Sequence, residues 1–170
     1  AHIATGMPGS TAAETAAIQD ILVEDGKFIS IAPNLKATLE AQGKDMTSVE
    51  VVDLGGKLVC PPFCDTHLHL DYVFTARKPG AVNESGTLFE GIQRWSETKA
   101  DLTVDEIKER AKIGIAKEMR HGVQFIRSHA DVTDPNLTSL KALLELKEEL
   151  KDTVTLQIVS FPQEGMYSYE

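Results

Sequence analysis

Cysteine is nearly absent from the 170-residue chain, with only Cys60 and Cys64 present, so no disulfide framework holds this fold together. As a C-x-x-x-C pair without a second pair they also fall short of a zinc knuckle, and the reading they support is packing in a core. Basic residues are outnumbered, since 17 Lys and Arg against 26 Asp and Glu leave a formal charge of -9. A function built on neutralising a phosphate backbone is thereby disfavoured, and nucleic acid is not the expected partner. Nor does any stretch approach the roughly 20 apolar residues of a membrane-spanning helix. The first 20 residues lack the basic start and apolar run of a secretory leader. The expectation is a soluble, cytoplasmic protein with no membrane partner. Internal repeats and low-complexity tracts are missing as well. What is present is an ordinary globular composition, 42% hydrophobic and 25% charged, which argues against a disordered, collagen-like or fibrous chain. The length suits one domain and is short for most large enzyme folds.

The chain divides by its local patterns. Ala1 to Ala17 is small and polar around Pro8 and Gly9, and reads as an arm or irregular edge. Ile21 and Val23, the turn Asp25-Gly26, then Phe28, Ile29 and Ile31 outline a hairpin. Val49, Val51 and Val52 predict another short strand before Gly55-Gly56, giving a small antiparallel unit over roughly residues 18 to 58. From Leu58 onward strand and helix alternate. Leu58 to His69 reads as one strand, and helical spacing follows at Leu88, Ile92 and Trp95. Thr103-Val104-Asp105-Glu106 is a capping box, followed at helical period by Ile107, Ala111, Ile115 and Met119 and stopped at Gly122. Val123 to Val132 predicts a second strand. Asp134-Pro135 predicts the start of a helix carried by Leu137, Leu140 and Leu144, and Val154 to Phe161 a third strand. Strand, helix, strand, helix, strand with apolar strands predicts an α/β fold with a parallel sheet covered on both faces.

Three clusters sit at strand ends, where active sites of α/β proteins gather. In Cys64-Asp65-Thr66-His67-Leu68-His69-Leu70-Asp71, His67 and His69 are two residues apart on a strand and leave the sheet on one face. Two neutral imidazoles so placed can reach one divalent ion, so this pair reads as metal ligands. In Arg127-Ser128-His129-Ala130-Asp131, His129 and Asp131 share a face. They read as ligands, as partners orienting a ligand, or as a satisfied polar network, the last two being preferred because four ligands from two adjacent strands would crowd one ion. In Phe161-Pro162-Gln163-Glu164-Gly165, the Gln163 amide offers a donor and an acceptor in one plane, matching the edge of an amide or pyrimidine. Glu164 is a candidate proton carrier, although Gln-Glu after a strand is by itself more often a solvated loop.

The stretches Gly26-Lys27, Gly55-Gly56-Lys57-Leu58-Val59 and Pro61-Pro62-Phe63-Cys64-Asp65-Thr66-His67-Leu68-His69-Leu70-Asp71 resemble the opening of the metal-dependent amidohydrolase superfamily. Ser85-Gly86-Thr87-Leu88-Phe89-Glu90-Gly91-Ile92 and Gln157-Ile158-Val159-Ser160-Phe161-Pro162-Gln163-Glu164-Gly165 narrow the likeness to its bacterial cytosine deaminase branch. The resemblance implies a (β/α)8 barrel of the TIM type with a small β-sandwich. Residues 1–58 would supply part of the sandwich and 59–170 the first three βα units of an incomplete barrel. It implies one divalent metal ion, iron or zinc, held by His67 and His69, with Gln163 pairing with a pyrimidine-like substrate and Leu88 giving that ring an apolar contact. The implied reaction is hydrolytic deamination of cytosine to uracil and ammonia, by attack of a metal-bound hydroxide on the ring carbon bearing the amine. A relative acting on isocytosine or a triazine of the ammelide type is the alternative. His129 and Asp131 are not ligands in that branch, and Glu164 does not match its proton-shuttling glutamate.

A complete barrel takes about 250 residues, and the branch carries its remaining ligands, its shuttling glutamate and a second catalytic histidine on later strands. The expectation is therefore an N-terminal portion, inactive alone, whose third strand presents an apolar edge. The competing expectation is a non-catalytic piece, an interaction module or weak metal binder; a homo-oligomer stays open under either. Zinc deaminases that flip bases are set aside, because they use H-x-E with P-C-x-x-C and this chain has His67-Leu68-His69.

Overall fold

The structure is a computed structural model that describes residues 2–3 and 17–166. Most of the opening arm expected at residues 1–17 lies outside the described residues. The chain forms two compact units, Ala1–Pro61 and Pro62–Glu170.

In the first unit, β2 (Asp20–Glu24) and β3 (Lys27–Ala32) form the expected antiparallel hairpin. Its turn residues Asp25 and Gly26 both have positive φ, 50° and 72°, the geometry that matches the twist of two antiparallel strands. Beyond it the structure departs from the expectation. A helix, α1 (Leu35–Ala41), follows, and Asp45 caps a single 3-10 turn at Met46–Ser48. Val49 to Val52 forms no strand, and Val51 and Val52 are exposed. β-Branched residues favour extended backbone, but without a neighbouring strand that preference builds no ladder. The stretch from Leu58 to His69 is likewise two strands. Leu58–Val59 is β4, pairing in parallel with β1 (His2–Ile3), and the Pro61-Pro62 pair interrupts the run, since proline donates to no ladder.

The second unit holds the parallel sheet, in the order β5 (Phe63–Leu68), β6 (Val123–Asp131), β7 (Thr155–Phe161). The helix α2 (Leu88–Lys99) follows the loop after β5, and α3 (Val104–Arg120) leads into β6. The capping box forms as expected, with the Thr103 hydroxyl accepting from the Glu106 N–H and the Glu106 carboxylate from the Thr103 N–H. Gly122 ends this helix at φ 86°, and a Cβ there would stand 3.4 Å from the Phe63 ring. The last helix, α4 (Thr138–Glu149), starts later than Asp134-Pro135 suggested. Leu137 turns at φ 53° first, yet Asp134 still caps from a distance, accepting the Thr138 N–H at 2.8 Å. The buried face of α4 is Ser139, Ala142, Leu143 and Leu146, while Leu137 and Leu144 are exposed.

The core lies between the sheet and these helices: Leu70, Ile107, Ala111, Ile115, Ile126, Ala130, Leu143, Leu146 and Leu156 are almost fully buried. Only this face of the sheet is covered among the described residues, which corrects the expectation of cover on both. Along β6, Ile126, Ser128 and Ala130 are buried while Phe125 and Arg127 face outward. The outward face of the three strands, with Cys64, Thr66, Phe125, Arg127, Thr155 and Gln157, lines a shallow groove. Both cysteines are exposed and free, so the core-packing reading fails. Cys64 points to the uncovered side of the sheet, and Cys60 lies in the irregular link before β5.

Candidate metal centre

The site is built at the carboxyl ends of the three strands. Near the end of β5 the pairing with β6 slips between Asp65 and Leu68. There the Asp65 carboxylate accepts the His67 N–H at 2.9 Å. A side chain replaces a ladder partner at the point where the chain leaves the sheet. The segment that follows is pinned at several points. The Leu70 N–H donates to the buried Ser128 hydroxyl at 3.0 Å. The Tyr72 N–H donates to the His69 carbonyl at 3.2 Å. From α3, Arg110 donates to the carbonyls of Asp71 and Val73 at 2.9 and 3.0 Å. The chain bearing His69 is thus fastened to both β6 and α3.

The imidazoles of His67 and His69 meet edge to face with ring centroids 5.3 Å apart, and His129 of β6 stacks on His67 at 4.2 Å. Phe161, the last residue of β7, stands edge-on to His69 at 5.4 Å and to His129 at 5.9 Å. Burial, then the neighbouring His67 and His129, holds the His69 imidazole below the ordinary histidine value, favouring the neutral form that ligates metals. The Nδ1 atom of His129 is buried without a hydrogen-bond partner. Two imidazoles meeting at a strand end, beside an orphaned ring nitrogen, fit two of the ligands of a divalent ion. Among the described residues no group of three or more His, Cys, Asp or Glu side chains is arranged to hold one.

The Asp131 carboxylate is hydrogen-bonded away from the imidazoles, although its charge works to raise His69. The carboxylate accepts Trp95 Nε1–H at 2.6 Å and Lys99 Nζ at 3.1 Å on one oxygen, and the Thr133 N–H and hydroxyl at 2.8 and 2.6 Å on the other. Burial works to raise this carboxyl, but Thr133, Trp95 and Lys99 together hold it below the usual range. Of the readings open from sequence, the satisfied polar network is the one observed for Asp131. Asp71 lies beneath it, accepting the Asp131 N–H at 2.9 Å, and burial pushes its carboxyl up to about 6.

Gln163 is half-buried in the turn after β7, closed by the Gly165 N–H donating to the Pro162 carbonyl at 3.0 Å. Glu164 pairs with Lys99 at 2.7 Å. Leu88 opens α2 and is 73% exposed. Sequence reasoning passed over Lys99, Trp95, Thr133 and Tyr72. Lys99 carried a signal: it continues the spacing of Ile92 and Trp95 along the inward face of α2, where a charge needs a partner.

Residues 50–169 match the model of the amidohydrolase family. The chain is 30% identical over 158 residues to the N-isopropylammelide isopropyl amidohydrolase of Pseudomonas sp. (strain ADP), an alignment covering 91% of this chain and 37% of that protein. It is 28% identical over 152 residues to a pterin deaminase of Rhizobium rhizogenes (strain K84 / ATCC BAA-868), covering 86% and 32%. Among solved structures, 5-methylcytosine deaminase from Klebsiella pneumoniae, liganded with phosphonocytosine, superposes with a TM-score of 0.71 at 39% identity, covering 91% of this chain and 36% of that one. The chain spans about a third of the length of each of these relatives.

Proposed function

The chain belongs to the amidohydrolase family, and from that premise we propose that the protein, at its natural length, deaminates cytosine or its 5-methyl derivative by hydrolysis. The observation that carries this reading is the meeting of the His67 and His69 imidazoles at the strand ends, with His69 packed against Phe161, two residues ahead of Gln163. The 39% identity to a 5-methylcytosine deaminase supports the choice of ring. In this reading the three parallel strands belong to a (β/α)8 barrel, and residues 1–58 to a small β-sandwich.

His67 and His69 would hold one divalent ion, iron or zinc. Such an ion supplies water activation near neutral pH. The protein's own groups do the rest of the work proposed here. Gln163 presents one donor and one acceptor to the ring edge and so fixes which carbon faces the water. Phe161 and Tyr72, which packs edge-on to His69 at 5.8 Å, cover part of the His69 imidazole, while His67 stays open to solvent. Leu88 gives the ring an apolar contact. A second reading, a triazine hydrolase of the ammelide type, is favoured by the 30% identity to the Pseudomonas enzyme.

The test is ammonia release by the iron- or zinc-loaded protein at its natural length from cytosine, 5-methylcytosine, N-isopropylammelide and pterin. The expected result is a higher kcat/KM on the two cytosines than on either other ring. Preference for the triazine or the pterin overturns the choice of substrate, and an inert loaded protein overturns the activity.

A further inference from the structure

The polar cluster beneath the imidazoles contains a cation whose position is not explained by ligating a metal or touching a ring. Lys99 is the last residue of α2, only 8% exposed. Its ammonium has three donors and three partners: Asp131 Oδ2 at 3.1 Å, Thr133 Oγ1 at 2.6 Å and Glu164 Oε1 at 2.7 Å. Two of these belong to the end of β6 and the residues after it. The third lies in the turn after β7. Burial alone would lower the Lys99 ammonium, but the carboxylates of Glu164 and Asp131 outweigh it and hold it above the ordinary lysine value. Glu164 follows Gln163 directly, so where its carboxylate is fastened the backbone of Gln163 is fastened too. The same cluster reaches the imidazole pair, because Trp95, which donates to Asp131, packs against Tyr72 at 5.0 Å, and Tyr72 packs against His69.

We propose that Lys99 is a positioning residue that clamps the turn 162–165 through Glu164, and so sets the orientation in which Gln163 meets a ring bound beside the imidazoles. The clamp rests on the geometry above, and its consequence for ring binding rests on the reading of Gln163 given under the proposed function. An ammonium is needed because no neutral side chain of that length can satisfy two carboxylates and a hydroxyl together. A lysine that only filled the core would need no partner on the turn.

The experiment compares wild type with Lys99→Met, Lys99→Arg and Glu164→Gln in the metal-loaded protein at its natural length. Amide hydrogen exchange is followed in 162–166 and, as control, in 139–149 of α4, alongside KM and kcat for cytosine. Both Lys99→Met and Glu164→Gln are expected to speed exchange in 162–166 by about tenfold or more, the worth of a charge-assisted hydrogen bond; Glu164→Gln is expected to leave α4 unchanged, and Lys99→Met, which also strands the buried Asp131, to speed α4 by less than it speeds 162–166. KM is expected to rise by a similar factor with kcat within about twofold, and Lys99→Arg is expected to recover part of both losses. Exchange unchanged in 162–166, or raised equally in α4, overturns the clamp. A loosened turn with unaltered KM overturns its role in ring binding. If Lys99→Met does not fold, Glu164→Gln, on the more exposed partner, decides the same question. A wild type that turns over neither cytosine nor 5-methylcytosine removes the substrate reading, and the exchange data then decide the clamp alone.

Discussion

Lys99 and Asp131 are both buried, and removing one partner of such a pair leaves a charge without its counterpart in a poorly solvated place. Truncating Asp131 to alanine strands the Lys99 ammonium on Glu164 and Thr133, and also orphans Trp95 Nε1–H. A loss of about 3 kcal/mol is expected from urea unfolding midpoints, near the lower end for a broken buried pair because Glu164 remains. At the imidazoles the expectation is different in kind. His67→Ala and His69→Ala should each lower the zinc retained through dialysis while leaving the unfolding midpoint of the apo-protein within about 0.5 kcal/mol for the exposed His67. Unchanged zinc retention in both variants counts against the pair as ligands. The adjacency of the two imidazoles was legible because His67 and His69 stand two residues apart at a strand end, a local spacing, although β5 itself stops at Leu68. The roles of Lys99 and Trp95 were not, because their partner Asp131 lies 32 and 36 residues away, and no local pattern encodes which distant group meets them.

Helix ends were read well where the signal is short-range. Thr103 and Glu106 satisfy two free N–H groups reciprocally, so Thr103→Ala is expected to cost about 1 kcal/mol, measurable by thermal or urea unfolding. Asp134 shows the limit of such reading, because the cap is real but the helix begins at Thr138, after a left-handed residue that no composition rule demands. At the start of α2, Glu90 ties down the preceding loop. Its carboxylate accepts the N–H groups of Glu84 and Ser85 at 3.1 and 2.7 Å, together with the Ser85 hydroxyl. These bonds, from Ser85 first, hold its carboxyl down at about 2 against an ordinary 4.5. A carboxyl lowered in the folded state stabilises fully above its unfolded value, and the contribution fades as pH falls from about 4.5 to about 2. Wild type should therefore lose thermal stability through that window more steeply than Glu90→Gln. Parallel melting curves for the two proteins would remove Glu90 as the cause.

At the scale of the whole molecule, the face of the sheet that the described helices cover sets what is stable, and the face left open among the described residues what is reactive. Leu143 is fully buried between α4 and the sheet, and Leu143→Ala is expected to cost about 3 kcal/mol through lost burial and the cavity left behind. In the 170-residue chain both Cys60 and Cys64 are exposed, so both thiols should react with a disulfide reagent without denaturant. Protection of either shows that its side of the chain is covered. Among the described residues no helix is long and apolar enough to cross a membrane. By itself the sequence determined the hairpin, the capped helices, the three parallel strands and the placing of His67, His69, Gln163 and Glu164 at strand ends. Each of these follows from periodicity, turn chemistry and capping, which act over a few residues. Only the tertiary structure decided that, among the described residues, Val49 to Val52 finds no strand to pair with and one face of the sheet is open, that the cysteines stay outside, and that a buried lysine on α2 fastens the turn beside Gln163. These outcomes depend on which distant segments come together, and burial and charge pairing reward contacts between segments that local preference does not choose.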